Sequence, residues 1–459
     1  MTNTLYLPEL REMLAETNSA ELEEFCTALH PARTAEFMEG LTAAEAWAVL
    51  QHADPSTRAE IFGYFDRDKQ VEIIETSEPA VIGELIANLP PDDRVDILKS
   101  VKPEVVEQLL PLVPALDRRD ILRLQSYPEG TAGAKMTTSF AKLSEGLTVK
   151  QVLDELAKQA SDLETIYYIY IVDKDDHLHG LVSARQLVSA IGRPNTLIDD
   201  IMEQALVTVN VNDDQEQVAR KVQQYDLQAI PVVDNEHHML GIITHDDVMD
   251  VLREEATEDV HRLGAVAPLV ENYLEAQFTT IWRKRAVWLS CLFGAEILTF
   301  SALAHFEDEI GKVLVLSLFL PLVISTGGNS GSQAATLITR AMALGQVALK
   351  DWWSVLRHEF AMGLALGATL GAIGFVRAAL TPTEILRGQV QYLDLAWVIA
   401  LAVTAICIWG TLVGSMLPLL FRRFGFDPGY ASSPFVATFV DVTGITIYFS
   451  IAKIFISIG

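Results

Sequence analysis

The sequence has few cysteines and, before residue 281, few basic residues, and these shortages exclude several classes of protein. Only three of its 459 residues are cysteine, and Cys291 and Cys407 lie in apolar runs, which argues against a disulfide framework. The first 280 residues carry a net charge of −29, whereas residues 281–459 sum to +2. Such an acidic surface repels nucleic acid and attracts cations. The N-terminus, MTNTLYLPELREML, has no basic start followed by an apolar core, so we expect no cleaved signal peptide.

Five stretches after residue 281 are long and apolar enough to cross a bilayer, which requires roughly 20 mostly apolar residues. They cover about residues 286–304, 313–338, 359–380, 395–420 and 434–456. Most flanking basic residues fall on the side that holds the N-terminus: Arg283, Lys284, Arg285, Arg340, Lys350, Arg357, Arg422 and Arg423. Basic loops remain in the cytoplasm. We therefore expect a multi-pass protein of the cell (inner) membrane, with a cytoplasmic N-terminus and a periplasmic or extracellular C-terminus.

The second stretch contains an unusual polar segment, PLVISTGGNSGSQAATL, at residues 321–337. Pro321 and the pair Gly327–Gly328 predict a weakened helix, which is tolerated at membrane depth only against protein or a water-filled cavity. Gly327 and Gly331 also form a GxxxG pair, which predicts close helix packing equally well. On helical spacing, one face carries four polar residues, namely Ser325, Asn329, Ser332 and Thr336.

The fifth stretch carries an acidic residue at membrane depth, Asp441. A carboxylate there costs roughly 2.5–3.5 kcal/mol on insertion scales, so it indicates a functional site. Helical spacing places Ala437, Asp441 and Gly444 on one face, although a hydrogen bond to a neighbouring polar side chain is the alternative role for the carboxylate. Glu296 in the first stretch is a second intramembrane acid. It either lines an ion pathway together with Asp441 or lies protonated in a helix interface. Asp427 lies near the cytoplasmic start of the fifth stretch, where it lines an inner mouth or forms an ordinary Asp-Pro turn.

A 24-residue repeat dominates the first 128 residues. The repeated prolines are Pro31, Pro55, Pro79 and Pro103, and two further apolar positions recur, as Leu50, Ile74, Leu98 and Leu122 and as Phe37, Ile61, Leu85 and Leu109. Each unit has room for two short helices, one of them opened by proline. The repeat predicts an α-helical solenoid and carries no sign of catalysis.

A second repeat follows at an offset of 61 residues. IYIVDKDDHLHGLVSARQLV (169–188) matches IPVVDNEHHMLGIITHDDVM (230–249), and each reads strand, acidic turn, strand and helix, with Ser183 or Thr244 as N-cap. The pattern resembles a tandem pair of CBS domains, which implies adenosine-nucleotide binding. In the first copy Gln186 replaces the family's usual acid. We therefore expect any ATP at the second copy, against Asp226, Pro231, Thr244 and Asp247.

Acidic residues form three clusters in the soluble part and the segment that follows it. Helical spacing lines up several of them after residue 246, where like charges destabilise a helix. A solvated face is the ordinary explanation. If the clusters converge, only bridging cations relieve the repulsion, and oxygen-only ligands suit Mg²⁺ or Ca²⁺. The candidate regulatory metal ligands are Asp92, Asp93, Asp96, Asp214, Glu216, Asp226, Asp247, Asp250, Glu255, Glu258 and Asp259.

The whole chain resembles the MgtE family of magnesium channels, through the stretches EATEDVHRLGAV, GGNSGSQAATLITRA and FVATFVDVTG. The resemblance implies a multidomain membrane protein: a helical-repeat N domain at 1–135, tandem α/β CBS domains at 136–253, an acidic linking (plug) helix at 254–280 and a transmembrane pore domain of five helices at 281–459. It also implies a homodimer with one pore on the two-fold axis. The pore residues would be Asp441, Asn329, Gly328, Ala437 and Asp427.

We therefore predict a Mg²⁺-selective channel or transporter, gated by cytosolic Mg²⁺ that binds the acidic clusters. The alternative is a secondary carrier for divalent cations such as Mg²⁺ and Co²⁺, regulated by nucleotide at the CBS pair, because carriers also use intramembrane acids and broken helices. A membrane enzyme would need a nucleophile or a catalytic metal constellation, and we identify neither. The expected ligands are Mg²⁺, as permeant and regulatory ion, and ATP.

Overall fold

The structure is a computed structural model that describes residues 5–160, 163–269, 273–274, 276–386 and 390–456. It divides into two compact units, Met1–Arg253 and Glu254–Gly459. The 24-residue repeats fold as pairs of helices in the first unit. The helices are α1 (Leu7–Ala15), α2 (Ser19–Ala28), α3 (Pro31–Phe37), α4 (Ala43–Leu50), α5 (Pro55–Gly63), α6 (Arg67–Thr76), α7 (Pro79–Asn88), α8 (Pro91–Ser100), α9 (Pro103–Leu109) and α10 (Ala115–Leu124).

The repeated prolines begin α3, α5, α7 and α9, where a missing N–H costs nothing because the first turn has no partner for it. α3, α5, α7 and α9 pack in series, and α4, α6, α8 and α10 form a second row, as the predicted solenoid requires. The repeated apolar positions are buried in the core, with one exception. Leu122 is exposed on α10, the last helix of its row, while the neighbouring Ile121 is buried.

Two equivalent α/β modules follow, and their strands pair as the second repeat predicts. The first contains β1 (Phe140–Ser144), α11 (Val149–Gln159), β2 (Thr165–Val172), β3 (Leu178–Ser183) and α12 (Ala184–Ala190); the second contains β4 (Val209–Asn210), α13 (Gln215–Tyr225), β5 (Ala229–Val233), β6 (Met239–Thr244) and α14 (His245–Leu263). Each sheet has one parallel and one antiparallel strand pair. Ser183 and Gln186 form a capping box at the start of α12, so Gln186 has a structural role.

The second unit consists mainly of long apolar helices. They are α15 (Phe278–His305), α17 (Val315–Ala343), α18 (Trp352–Ala379), α20 (Tyr392–Arg423) and α21 (Ser433–Phe455), with the short helices α16 (Glu307–Lys312) and α19 (Thr383–Leu386) between them. Four candidate spans in the described residues are long and apolar enough to cross a membrane: Phe278–His305, Leu349–Ala379, Tyr392–Arg423 and Ser433–Phe455. α17 has 29 residues and is long enough, but it contains the polar segment.

The structure describes helix continuity at two places that the sequence singled out. The polar segment of α17, where a weakened helix was predicted, is helical throughout, since the helix runs unbroken through Pro321 and the glycine pair. Packing against α20 and α21 supports it, and membrane helices tolerate Pro and Gly where neighbouring helices compensate. The linking segment 254–280 is not the single helix that the resemblance implies: α14 ends at Leu263, and α15 begins at Phe278.

Candidate ion sites

α15, α17 and α21 enclose a cavity of about 390 Å³ in the membrane unit. Most of the side chains predicted for the pore line it. The lining includes Glu296, Ser325, Gly328, Asn329, Ala437 and Asp441, together with Pro321 and apolar residues. Asp441 is half-buried, and Gly328 leaves space beside it, because a methyl group on that glycine would lie 3.5 Å from Asp441 Oδ1. Thr299 of α15 also lines the cavity, which therefore combines two carboxylates, an amide and two hydroxyls.

The α17 segment has a packing face and a separate polar face. Gly327 and Gly331 face α20, where a methyl group on Gly331 would lie 2.9 Å from the carbonyl oxygen of Gly410. Ser325 and Asn329 lie on the exposed side, and the Asn329 amide donates to Ser325 Oγ at 3.3 Å. A GxxxG packing face thus positions the neighbouring polar face.

α17 and α21 are joined by hydrogen bonds at both ends of the cavity. The Ser332 hydroxyl donates to the backbone oxygen of Ser433 at 3.1 Å, and the buried Tyr448 hydroxyl donates to Leu316 O at 2.9 Å. Gly444 does not line the cavity as predicted, since its nearest neighbour is the side chain of Ile406 on α20. The face that presents Asp441 is therefore narrower than the sequence indicated.

Asp427 lies outside this lining, at the loop between α20 and α21. Arg262, near the end of α14, forms ion pairs with both Asp427 and Glu258. The Arg262 guanidinium also lies 5.6 Å from the ring centroid of Tyr430. One cation thus balances a carboxylate predicted for the pore mouth and one predicted for regulation.

In the first unit, a crevice gathers acidic residues from α8, α14 and the segment before β2. Asp92 and Asp247 are half-buried, and Asp93, Asp246, Asp250 and Glu164 are more exposed. Asp92 Oδ1 is buried and has no hydrogen-bond partner among the residues that the structure describes. An unpaired buried oxygen in an acidic crevice is a natural ligand for a cation.

The crevice strongly disfavours negative charge. Burial, with the charges of Asp247, Asp93 and Glu164, raises the pKa of Asp92 well above its usual range. Burial and the nearby Asp246 and Asp93 raise the pKa of Asp247 to about 6, although the Thr244 hydroxyl donates to its carboxylate. Although the Glu164 side chain is partly exposed, desolvation by the surrounding protein raises its pKa to about 7, with the charge of Asp247 as the next cause.

Asp96 is near this crevice but is partly balanced. Its carboxylate forms ion pairs with Lys99 at 3.2 Å and Lys135 at 3.7 Å. The pKa of Asp93 is raised mainly by burial. The charges of Asp96, Asp246 and Asp250 raise it further, while Arg67 lowers it.

The other predicted regulatory residues have separate local roles. Asp214 is the N-cap of α13 and accepts hydrogen bonds from Glu216 N and Gln217 N. The Glu216 side chain pairs with Arg220, and Asp226 ends α13 in a left-handed conformation. Glu255 and Asp259 lie on α14.

The predicted nucleotide residues belong to neighbouring elements of the second module. Asp226 follows α13, Pro231 lies in β5 opposite Ile242 of β6, and Thr244 ends β6. Asp247, however, points to the acidic crevice.

Sequence reasoning missed Glu164 and Arg262 as members of these sites. Glu164 lies directly before β2, and no pattern around it indicated a metal ligand. The one available signal for Arg262 was its position after the acidic residues of EATEDVHRLGAV.

Comparisons with known proteins agree with this arrangement. Family models match the MgtE intracellular N domain at residues 29–130, CBS domains at 132–193 and 198–254, and a divalent cation transporter domain at 320–451. The magnesium transporter MgtE of Thermus thermophilus is 42% identical over 72% of this chain and 71% of its own length. The Enterococcus faecalis magnesium transporter MgtE is 36% identical over 72% of this chain and 70% of its own.

Two solved structures resemble the soluble part. The soluble part of a magnesium transporter is 33% identical, with a TM-score of 0.51, and covers 54% of this chain and 97% of its own. The cytosolic domain of the Mg²⁺ channel MgtE in complex with ATP is 35% identical, with a TM-score of 0.50, and covers 53% and 98%.

The helical solenoid, CBS pair and apolar helices define a multi-pass membrane transporter of divalent cations. The chain belongs to the MgtE family of magnesium transporters, which confirms the resemblance and the fold class inferred from its sequence.

Proposed function

We propose that the protein is a homodimeric Mg²⁺ channel in which the cavity of α15, α17 and α21 forms each subunit's half of the pore. The observation that carries the proposal is the shared cavity of Asp441, Asn329, Gly328, Ala437 and Glu296. Its volume of about 390 Å³ exceeds the roughly 30 Å³ share of one water many times over. Mg²⁺ dehydrates reluctantly, so a wide polar cavity suits an ion that keeps several waters.

Asp441 is the proposed ion site, with one carboxylate from each subunit. Two such carboxylates repel in a low-dielectric surrounding, and a divalent cation between them removes that repulsion. Ser325 and Asn329 are exposed in the single chain, which supports a second copy opposite this face. The basic flanks of the spans support a cytoplasmic N-terminus.

A reconstituted flux assay with Asp441→Asn tests the pore. Asn keeps the size and loses the charge, so folding should persist while Mg²⁺ flux falls at least about tenfold, equivalent to roughly 1.4 kcal/mol of lost ion stabilisation. The matched control is Asp394→Asn, which alters an exposed acid in the first turn of α20 and should leave flux unchanged. Wild-type flux in Asp441→Asn would refute the assignment and move the site to Glu296.

Discrete single-channel currents in patches would distinguish a channel from a carrier. A carrier moves ions in stoichiometric cycles and gives no unitary current. The related protein whose cytosolic domain was solved with ATP is described as a Mg²⁺ channel, which favours a channel over a carrier.

Gating by cytosolic Mg²⁺ is the second part of the proposal. The crevice of Asp92, Asp93, Asp247 and Glu164 supports it, because the carboxylates there repel one another until a cation is present. An ion that binds only the closed arrangement shifts the population toward closure. Neutralising Asp92, Asp96, Asp247, Asp250 and Glu258 together should leave transport active at high cytosolic Mg²⁺, as measured in the same flux assay.

The CBS pair is a proposed ATP site, at its second copy. The complex of a related cytosolic domain with ATP supports this proposal. Thr244→Val should weaken ATP binding in calorimetry, and Ser183→Val in the first copy is the matched control. Equal ATP binding by both variants would contradict the assignment to the second copy.

A further inference from the structure

The turns between β2 and β3 and between β5 and β6 have the same unusual composition, which the Mg²⁺ sites do not use. The first reads DKDDHLH from Asp173, and the second reads DNEHHML from Asp234. Each turn brings together the ligand atoms of one Asp, a second acid two residues on and a His four residues on, within 4.8 Å of one another. The groups are Asp173, Asp175 and His177, and Asp234, Glu236 and His238.

Hydrogen bonding already draws each imidazole to its carboxylate. His177 Nδ1 lies 3.0 Å from Asp173 Oδ2, and His238 Nδ1 lies 2.8 Å from Asp234 Oδ2. Two ligand atoms of one Zn²⁺ each lie about 2.0–2.2 Å from the metal, so the two atoms are separated by only slightly more than these N–O distances. A small adjustment would therefore exchange the shared proton for a metal ion.

A fourth metal-binding side chain, that of His179 in β3, lies beside the first turn and has no counterpart at the second. His179 Nε2 lies 3.9 Å from Asp173 Oδ2, and His179 Nδ1 lies 3.0 Å from Glu145 Oε2. A carboxylate that accepts the proton on one ring nitrogen leaves the other nitrogen free for a metal and raises its basicity. Leu240 occupies the equivalent position of the second copy, so that copy offers three groups.

The two turns also support each other. Leu178 N donates to His237 O at 3.1 Å, Met239 N donates to Asp176 O at 3.0 Å, and the His177 and His238 rings stack 4.4 Å apart. The nearby Lys142 pairs with Asp176 at 2.9 Å. The ligand positions are therefore fixed by backbone pairing of two hairpins.

Turn formation alone does not account for this set. Asp173 Oδ1 accepts hydrogen bonds from the backbone N–H groups of Asp175 and His177. These bonds explain why the turn has an Asp at position 173, but they do not explain the other side chains of the group. The carboxylate of Asp175 and the imidazole of His179 are exposed and unnecessary for the turn. A ligand atom of each nevertheless lies near the Asp173 carboxylate, within 4.8 Å for Asp175 and at 3.9 Å for His179.

We propose that Asp173, Asp175, His177 and His179 form a site for a divalent transition-metal ion of the Zn²⁺ class, with Glu145 holding His179 in the ligating tautomer. Two imidazoles and two carboxylates suit Zn²⁺ or Co²⁺, whereas Mg²⁺ prefers an all-oxygen octahedral shell. The site thus distinguishes a second kind of ion from the transported one. The second turn is a weaker, three-ligand version.

Zn²⁺ binding to the full-length protein in detergent, measured by calorimetry in excess Mg²⁺, tests the proposal. We expect one tight site per chain that Mg²⁺ does not displace. His179→Leu makes the first turn resemble the second and should weaken that site by roughly 10- to 100-fold, and Glu145→Gln should act in the same direction. His52→Ala in the N domain is the matched control and should bind like wild type.

Co²⁺ in place of Zn²⁺ gives a second readout, since the intensity of its visible absorption distinguishes four-coordinate from six-coordinate Co²⁺. A visible band in wild type that is lost in His177→Ala and His179→Leu supports the assignment. No tight Zn²⁺ site in wild type, or equal affinity in His179→Leu, Glu145→Gln and wild type, would overturn it. Glu145→Gln alters an exposed side chain, so its result stands even where His177→Ala folds poorly.

Discussion

Replacing Asp247 by Asn should stabilise the acidic crevice when Mg²⁺ is absent. Asp247 has a pKa of about 6 in the folded protein, against 3.8 in an ordinary environment. A shift of one unit corresponds to 1.36 kcal/mol, so ionising this carboxylate in the folded state costs up to about 3 kcal/mol. Partial exposure screens the interaction, which leaves about 1–3 kcal/mol. Asn retains an acceptor for the Thr244 hydroxyl and removes the charge.

The pH dependence has a definite sign. Between about pH 4 and pH 7 the folded protein holds protons on Asp247 and Glu164 that the unfolded chain has released. The free energy of unfolding therefore falls as pH rises through this window and stays low above it. Mg²⁺ restores it, by about 2.7 kcal/mol at a concentration 100 times its dissociation constant.

Hydrogen exchange in the full-length protein in detergent measures this stability locally. At pH 7 without Mg²⁺, the amides of α8 should exchange roughly 10- to 100-fold more slowly in Asp247→Asn than in wild type, and added Mg²⁺ should protect the variant less. Asp154→Asn alters an exposed acid on α11 and should change stability by no more than about 0.5 kcal/mol. Equal exchange in Asp247→Asn and wild type, or a wild-type crevice that is better protected at pH 7.5 than at pH 5, would refute the reasoning.

The remaining predictions concern the membrane unit. Gly331→Ala should lower the thermal midpoint in detergent, since its methyl group would meet the backbone of α20 at 2.9 Å and overpacking costs about 1–3 kcal/mol. Gly294→Ala on α15, which has open space around it, should not lower the midpoint. Equal midpoints in the two variants would contradict the close-packing argument. Arg262→Gln breaks the ion pair with Asp427 and should speed proteolysis at the end of α14, whereas Arg423→Gln on the exposed end of α20 should not; unchanged cleavage in Arg262→Gln would show that the ion pair does not hold the segment.

Periodic features of the sequence predicted the fold well, because they report burial directly. Proline at each 24-residue repeat begins a helix, and the 61-residue offset gives two sheets with the same strand order. Local propensity was a poorer guide where it opposed packing. Pro321 and Gly327 weaken an isolated helix, yet α17 continues through them because contacts with α20 and α21 outweigh local preference.

The candidate sites were harder to predict, since they join residues that are distant in sequence. Asp92 and Asp247 are recognisable as members of acidic runs, but Glu164 stands alone before β2 and becomes significant only when the chain folds beside them. Asp214 and Glu216 also form an acidic run, and in the structure each has a local partner, through a helix cap and an ion pair with Arg220. Charge density in sequence therefore does not distinguish a metal ligand from a cap.

In the proposed mechanism, the crevice and the membrane cavity place different demands on Mg²⁺. In the crevice, Asp92 Oδ1 is buried without a hydrogen-bond partner among the described residues, so the proposed ion or its bound water would contact that oxygen directly. Around Asp441, by contrast, the cavity is large enough for water, and the polar groups that α17 contributes to its lining are an amide and a hydroxyl. Close approach gives a regulatory site the strength to offset carboxylate repulsion, whereas a hydrated ion is held loosely enough to leave. Conduction requires such loose binding, because an ion that binds too tightly blocks its own pathway.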